Sequence, residues 1–195
     1  MAYNPKDFYF KKAKKENYAA RSVFKLEEMD ARYRVLKAGQ RVLDLGCAPG
    51  SWAQFASKRI GNNGKLVGID LQRVKFSLPN AVFIEGDAFS EGVLDHALAE
   101  VDGTFDLVLS DMAPKTTGIR VQDQERSLEL CRKALGVCRD YLRPGGRFVV
   151  KIFQSGDTPE FLKEMKEVFE RVEIARPKSV RNQSFEIYIL GLRKR

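Results

Sequence analysis

Val42-Leu43-Asp44-Leu45-Gly46-Cys47-Ala48-Pro49-Gly50-Ser51-Trp52 is an apolar run that breaks into a glycine-containing loop and then an amphipathic stretch at 51–60. An apolar run without polar alternation reads as a strand covered on both faces, as in parallel sheets flanked by helices. The same rhythm repeats outward from it: KLVGIDL at 65–71, AVFIEGD at 81–87, FDLVLSD at 105–111 and RFVVKIF at 147–153. Between these runs, 51–60, 90–100 and 122–142 read as helices, the last stopped by Leu142-Arg143-Pro144-Gly145-Gly146. The order βαβα predicts an α/β fold with a mostly parallel, doubly wound sheet.

The C-terminal part departs from strict alternation. The segment 158–170 reads as a helix with Phe161, Leu162, Met165, Val168 and Phe169 on one side, followed by strands at 171–175 and 184–192 with no helix between them. Two strands joined without a crossover are expected to be antiparallel. A parallel sheet finished by an antiparallel C-terminal strand resembles the Rossmann-like fold of S-adenosylmethionine-dependent methyltransferases; a nicotinamide fold more often continues with a second βαβαβ half. Ahead of the sheet, 17–33 predicts a helix with Leu26, Met29 and Tyr33 at i, i+3, i+7 spacing.

A chain of 195 residues, 44% apolar and 31% charged, suits one globular domain with its own core. We read 1–195 as that domain, with 1–35 a basic helical segment packed on the sheet. No uncharged apolar run approaches the roughly 20 residues of a membrane helix. The basic N-terminal residues lack the apolar stretch of a secretory signal. Cys47, Cys131 and Cys138 form no CxxC pair, so neither a zinc site nor a disulfide framework is expected, and a cytoplasmic location is. The net charge of +8 is uneven: +6 over 1–41, +5 over 171–195 and −3 between them. Solvated basic tails are the plain explanation. If the fold joins the two ends, they form one cationic surface for a polyanion.

In open α/β sheets, ligands bind beyond the carboxyl ends of the strands. At the first such end, Gly46 and Gly50 allow sharp turns and a close approach of backbone to ligand. The loop is neither G-x-G-x-x-G nor a P-loop ending in G-K-[ST], which disfavours a dinucleotide or a nucleoside triphosphate. Asp70 ends the second strand, 24 residues after Gly46, where a carboxylate can accept from a ribose diol. Asp87, after Gly86, ends the third, where it can accept from an adenine amino group. One acidic strand end is usually a helix cap or a solvated group. Three in succession, Asp111 being the next, suit an adenosine without a phosphate chain, as in S-adenosylmethionine.

The fourth strand ends at Ser110-Asp111-Met112-Ala113-Pro114, and Lys151 lies inside the fifth. An ammonium within an apolar strand carries a heavy desolvation cost unless paired; snorkelling from the strand end is the plain alternative. Neighbouring strands about 4.8 Å apart would let Asp111 and Lys151 face each other. Glu186, flanked by Phe185 and Ile187, shares a face with Tyr188 and also needs a cation, which the fifth strand would supply.

These stretches, D-L-G-C-A-P-G-S-W, L-S-D-M-A-P, V-V-K-I-F and S-F-E-I-Y, with A-R-S-V-F-K-L at 20–26, resemble the FtsJ/RrmJ family of RNA ribose 2′-O-methyltransferases. The resemblance runs from about residue 17 to 190, with the motifs in the family's order. It implies a tetrad of Lys25, Asp111, Lys151 and Glu186, and S-adenosylmethionine contacts at Gly50, Trp52, Asp70, Asp87 and Asp111, which Gly46 joins from the glycine loop. One departure is Ser51, where the family often has a second glycine.

The chemistry fits those residue types. A ribose 2′-hydroxyl must be oriented and must lose its proton as it attacks the methyl carbon. Lys151 is the expected proton acceptor, a second ammonium and desolvation favouring its neutral amine. Lys25 and Glu186 are expected to position it and the hydroxyl, and Asp111 to hold the amine; no metal is required. His96, the single histidine, lies in an expected helix as a surface or packing residue, which leaves no Ser-His-Asp hydrolase.

Lys11, Lys12, Lys14, Lys15, Arg21, Arg32 and Arg34, interleaved with Tyr3, Tyr9, Phe10 and Tyr18, are expected to meet RNA phosphates and bases, joined by Arg176, Lys178 and Arg181. By resemblance, the leading substrate is a uridine in the A-loop of 23S rRNA within the large ribosomal subunit. That implies rRNA methylation in ribosome biogenesis by a monomer with no obligate protein partner. A tRNA ribose methyltransferase and an inactive RNA-binding assembly factor are the alternatives. An NAD-dependent oxidoreductase is disfavoured by the missing G-x-G-x-x-G.

Overall fold

The computed structural model describes residues 5–195 except Asn182. Seven strands, β1 (Arg41–Leu45), β2 (Lys65–Asp70), β3 (Ala81–Glu85), β4 (Phe105–Ser110), β5 (Leu142–Phe153), β6 (Phe169–Ala175) and β7 (Glu186–Lys194), form one sheet ordered β3-β2-β1-β4-β5-β7-β6. β1 to β5 pair in parallel, and β7 inserts antiparallel between β5 and β6. The helices are α1 (Pro5–Lys15), α2 (Val23–Tyr33), α3 (Ser51–Ile60), α4 (Val93–Ala99), α5 (Arg120–Tyr141) and α6 (Thr158–Val168).

Continuous apolar strands follow from two cores, one on each face. Leu43, Leu45, Val108, Phe148 and Val150 pack with Ala97, Leu135, Phe161 and Met165 of α4, α5 and α6. Val42, Leu107, Leu109, Val149 and Leu190 pack on the other face with Leu26, Met29, Trp52 and Ala56 of α2 and α3. Each such side chain contributes about 1.5–3 kcal/mol on full burial, so neither face tolerates the polar alternation of a half-solvated sheet. Asp30 fixes α2 on this assembly: its carboxylate accepts from Leu36 N at 2.8 Å and Arg59 Nε at 3.0 Å. That anchorage sets where Lys25, on the same helix, can reach.

Several boundaries differ from expectation. The helix expected over 17–33 begins at Val23, because Asn17 takes φ 58° and Gln54 of α3 holds the turned chain before it through Ala19 N (2.8 Å) and Asn17 O (3.1 Å). The stop at 142–146 is not a loop between elements. α5 runs to Tyr141 and β5 starts at Leu142, the Pro-Gly-Gly turn being taken up by a register slip against β4 between Phe105 and Leu107. The helix expected over 158–170 stops at Val168, where Phe169 turns into β6. Within 1–35, α2 packs on the sheet through Leu26 and Met29, and α1 packs on α2. Ala13 of α1 lies against Val23 and Phe24 of α2, with Tyr9 and Tyr18 beside them. Tyr3 lies outside the described residues. Among the described residues, no helix is long and apolar enough to cross a membrane.

Candidate active site

The loop after β1 is built around two glycines with positive φ, Gly46 at +76° and Gly50 at +109°. A Cβ at Gly46 would overlap the Met112 side chain, and one at Gly50 the Phe76 ring, so the loop closes on its neighbours only without side chains there. Asp70, at the expected strand end, ties the loop down. Its two carboxylate oxygens accept from Ala48 N at 2.9 Å and Gln72 N at 2.8 Å, each keeping lone-pair capacity for a ligand. Asp87 is exposed and caps the next turn, accepting from Phe89 N at 2.9 Å. The Trp52 indole is a core group: it is buried, donates from Nε1 to Ser22 O at 2.9 Å and lies 5.8 Å from the Tyr188 ring. Ser51 has its own employment, its Oγ 2.8 Å from Ser22 Oγ across the α2–α3 contact.

The four tetrad residues meet as two linked pairs. Lys151 Nζ lies 3.1 Å from Asp111 Oδ1 and donates to Asp111 O at 2.5 Å. Lys25 Nζ lies 2.5 Å from Glu186 Oε1, with both side chains about seven-eighths buried. Among the described residues Glu186 Oε1 has no hydrogen-bond partner, so the charge of Lys25 is what compensates it. The partner of Glu186 is therefore not the fifth-strand cation expected from sequence. The β5–β7 register sets Glu186 opposite Phe153 and puts Tyr188 opposite Lys151, while α2 brings Lys25 across the same face.

Tyr188 joins the pairs. Its hydroxyl donates to Asp111 Oδ1 at 2.8 Å, and Lys25 Nζ stands 5.9 Å from its ring centroid. Burial, then the Asp111 and Glu186 charges, hold its phenol well above the ordinary tyrosine range, so it remains a donor. Sequence reasoning placed Tyr188 on the face of Glu186 but assigned it no role.

Asp44 is the other residue that went unassigned. It is fully buried, and neither carboxylate oxygen has a hydrogen-bond partner among the described residues. Burial, then Asp111 and Asp70, push its carboxyl up to about 8. The signal was present: an aspartate inside Val42-Leu43-Asp44-Leu45 has no plain reason to be there.

Beside the Lys25–Glu186 pair opens a cavity of about 420 Å³ lined by Arg21, Ser22, Lys25, Arg181, Gln183, Ser184 and Glu186. The two basic ends of the chain meet at its wall. Arg21 Nη2 donates to Ser179 O at 2.7 Å, and the Glu28 carboxylate accepts from Lys178 N at 2.6 Å and Ser179 N at 3.0 Å. Arg21 Nη1 is buried without a partner among the described residues, and burial followed by Arg181 lowers its pKa. His96 is exposed on α4, 3.9 Å from Glu100, and stands apart from this chemistry. Among the described residues, no group of His, Cys, Asp and Glu is arranged to hold a metal ion.

Residues 18–194 match the FtsJ-like methyltransferase family model. A Bdellovibrio bacteriovorus protein named ribosomal RNA large subunit methyltransferase E is 51% identical over the whole of both chains. One of the same name from Syntrophobacter fumaroxidans is 48% identical, over 100% of this chain and 99% of its own. A solved ribosomal RNA methyltransferase from Plasmodium falciparum superposes with TM-score 0.81 at 31% identity, over 91% of this chain and 98% of that one. Aeropyrum pernix fibrillarin, solved with S-adenosyl-L-methionine natively bound, shares the fold at TM-score 0.54 and 20% identity, over 81% of this chain and 68% of its own. Motifs, sheet order and relatives agree: the chain belongs to the FtsJ-like methyltransferase family.

Proposed function

We propose that this protein transfers a methyl group from S-adenosylmethionine to a ribose 2′-hydroxyl of 23S rRNA in the large ribosomal subunit, a uridine of the A-loop being the leading target. The observation that carries the reading is the pairing of Lys151 with Asp111 and of Lys25 with Glu186, the two pairs joined through Tyr188, with Lys25 and Glu186 lining a cavity walled by Arg21 and Arg181. The names of the full-length relatives point to large-subunit rRNA.

The residues fit the cofactor. Asp44, Asp70 and Asp111 converge, and Asp44 has two orphaned oxygens; such a cluster suits a cation rather than a phosphate chain. The Gly46–Gly50 loop, the carboxylate of Asp70 and the start of α3 would hold its nucleoside and amino-acid parts, with Asp87 at the adenine. S-adenosylmethionine supplies, when bound, an electrophilic methyl group on a cationic sulfur.

Lys151 is the proton acceptor in this reading. A neutral amine has two N–H bonds and one lone pair. The Asp111 carbonyl and carboxylate oxygens, at 2.5 and 3.1 Å, can take both N–H bonds, which leaves the lone pair for the 2′-hydroxyl proton. Asp111 is itself held by the Tyr188 hydroxyl at 2.8 Å. Lys25, steadied by Glu186, orients the hydroxyl and favours the developing oxyanion.

The cavity would take the target nucleotide, with Arg21 and Arg181 on a flanking phosphate. The lysines of α1 extend the basic surface. The reading places this work in the cytoplasm, by a monomer. Labelled S-adenosylmethionine incubated with undermethylated large subunits tests it: label is expected in 23S rRNA, and label in free tRNA alone, or in no RNA, overturns it.

A further inference from the structure

Three carboxylates gather where β1, β2 and β4 end, two of them, Asp70 and Asp111, acting on the third, Asp44, which differs from the rest. Asp70 is bonded by two backbone N–H groups and Asp111 by Tyr188 and Lys151. Asp44 has no hydrogen-bond partner among the described residues, at zero exposure. Its Cα neighbours across the sheet are Gly68 on β2 and Leu109 on β4, which offer no polar side chain. The charged groups acting on it are Asp70 at the end of β2 and Asp111 beyond β4, with the buried Cys47 thiol on its own loop. α3 lies over β1 with Ser51 and Trp52 at the near end and its cations, Lys58 and Arg59, in the far turn. An unpartnered buried carboxyl of this kind is stable as the neutral acid and unstable as the anion.

We propose that Asp44 makes the pocket sensitive to the charge on the cofactor's sulfur: it is protonated while the pocket is empty, gives up its proton when the sulfonium cofactor docks, and regains it once that sulfur has become a neutral thioether. The proposal rests on S-adenosylmethionine being the cofactor. Its sign follows from burial. Asp44 is fully enclosed already, so a docking ligand removes no further water from it, and the Coulomb effect of the new charge decides. A cation above Asp70 and Asp111 offsets the repulsion that keeps Asp44 protonated. Methyl transfer moves one positive charge from the ligand to Lys151, which has taken the hydroxyl proton beside Asp111. Once that proton has passed to solvent, Asp44 faces Asp70, Asp111 and a neutral sulfur. Proton uptake by Asp44 relieves that state, and the pocket loses its grip on the product relative to the cofactor. By linkage, the preference for the sulfonium over the thioether must rise with pH.

Isothermal titration of the full chain with S-adenosylmethionine and with S-adenosylhomocysteine, in buffers of differing ionisation enthalpy near pH 7.5, counts the protons released. Each ligand's own α-ammonium titrates in this range, so its ionisation is measured separately and subtracted. Wild type is expected to release more protons with S-adenosylmethionine than with S-adenosylhomocysteine, and Asp44→Asn to release equal numbers. The wild-type preference for S-adenosylmethionine is expected to rise several-fold more from pH 7 to pH 9 than that of Asp44→Asn. Equal proton release by the two ligands in wild type overturns the proposal, and this comparison needs no variant. Failure of S-adenosylmethionine to bind at all would instead sink the cofactor reading.

Discussion

Lys151 Nζ is bonded twice to one residue, at 2.5 Å to the Asp111 carbonyl and 3.1 Å to its Oδ1. Asp111 thus fixes the amine with backbone and side chain together, at the junction of two adjacent parallel strands. Truncation of Lys151 removes the proposed proton acceptor but touches neither the loop of Gly46 and Gly50 nor the Asp70 anchorage. Lys151→Ala is expected to lower single-turnover methyl transfer by at least about 10²-fold while cofactor affinity stays within a few-fold of wild type. Rapid-quench kinetics and a cofactor titration measure the two effects; near-normal turnover removes Lys151 from the mechanism.

Tyr188 contacts Asp111 through one hydroxyl hydrogen bond, while its ring fills the core beside Trp52. Tyr188→Phe keeps the ring and deletes the bond. A stability loss of about 1 kcal/mol is expected, with a fall in methyl transfer smaller than for Lys151→Ala. Denaturant melts and single-turnover rates test this, and a rate loss as deep as that of Lys151→Ala would contradict a positioning role.

Lys25 and Glu186 form a largely buried ion pair between α2 and β7. Lys25→Met leaves the carboxylate without its cation and is expected to cost about 3 kcal/mol. Lys25→Met with Glu186→Gln is expected to recover much of that stability without recovering activity. A double-mutant cycle of unfolding free energies is the measurement; additive losses would mean the two side chains do not interact.

Much of this arrangement was legible in the chain. The β1 to β5 runs announce themselves because both faces are covered, and neighbouring strand ends put Asp111 beside Lys151. The partner of Glu186 was not legible, since Lys25 reaches it only through the docking of α2, which Asp30 and Arg59 fix across 29 residues of sequence. The length of α2 was overestimated because Gln54, on another helix, holds the turn at 17–19. Tyr188 and Asp44 escaped for a related reason: an apolar run shows that a position is buried but not which polar atom faces it.

Asp44 makes stability depend on pH. Its carboxyl, at about 8 in the folded protein against about 3.9 in an unfolded chain, binds its proton more tightly when folded. That stabilisation is complete below about pH 4 and is lost as pH rises towards 8. Asp44→Asn should therefore gain on wild type across this window, by at most about 1.4 kcal/mol per pH unit, and level off above it. Chemical denaturation of both proteins at pH 5, 6.5 and 8 measures the difference; a constant difference would contradict an acid held neutral by burial.

Arg21 has a buried, unpartnered Nη1 at the cavity wall. RNA affinity is expected to fall steeply with salt, and Arg21→Ala to lower the log–log slope by about 0.7–0.9, one phosphate contact. Binding isotherms across a salt series provide the slopes, and an unchanged slope would place Arg21 off the RNA backbone.

The proposed mechanism requires a lysine on β5 to take the proton of a ribose hydroxyl in large-subunit rRNA. Position-resolved mapping of 2′-O-methylation in undermethylated large subunits, after reaction with wild type or Lys151→Ala, tests it most directly. The expected result is one new 2′-O-methylated uridine in the A-loop of 23S rRNA with wild type and none with the variant. A methyl group on a base, or the same ribose mark from both proteins, would contradict the account.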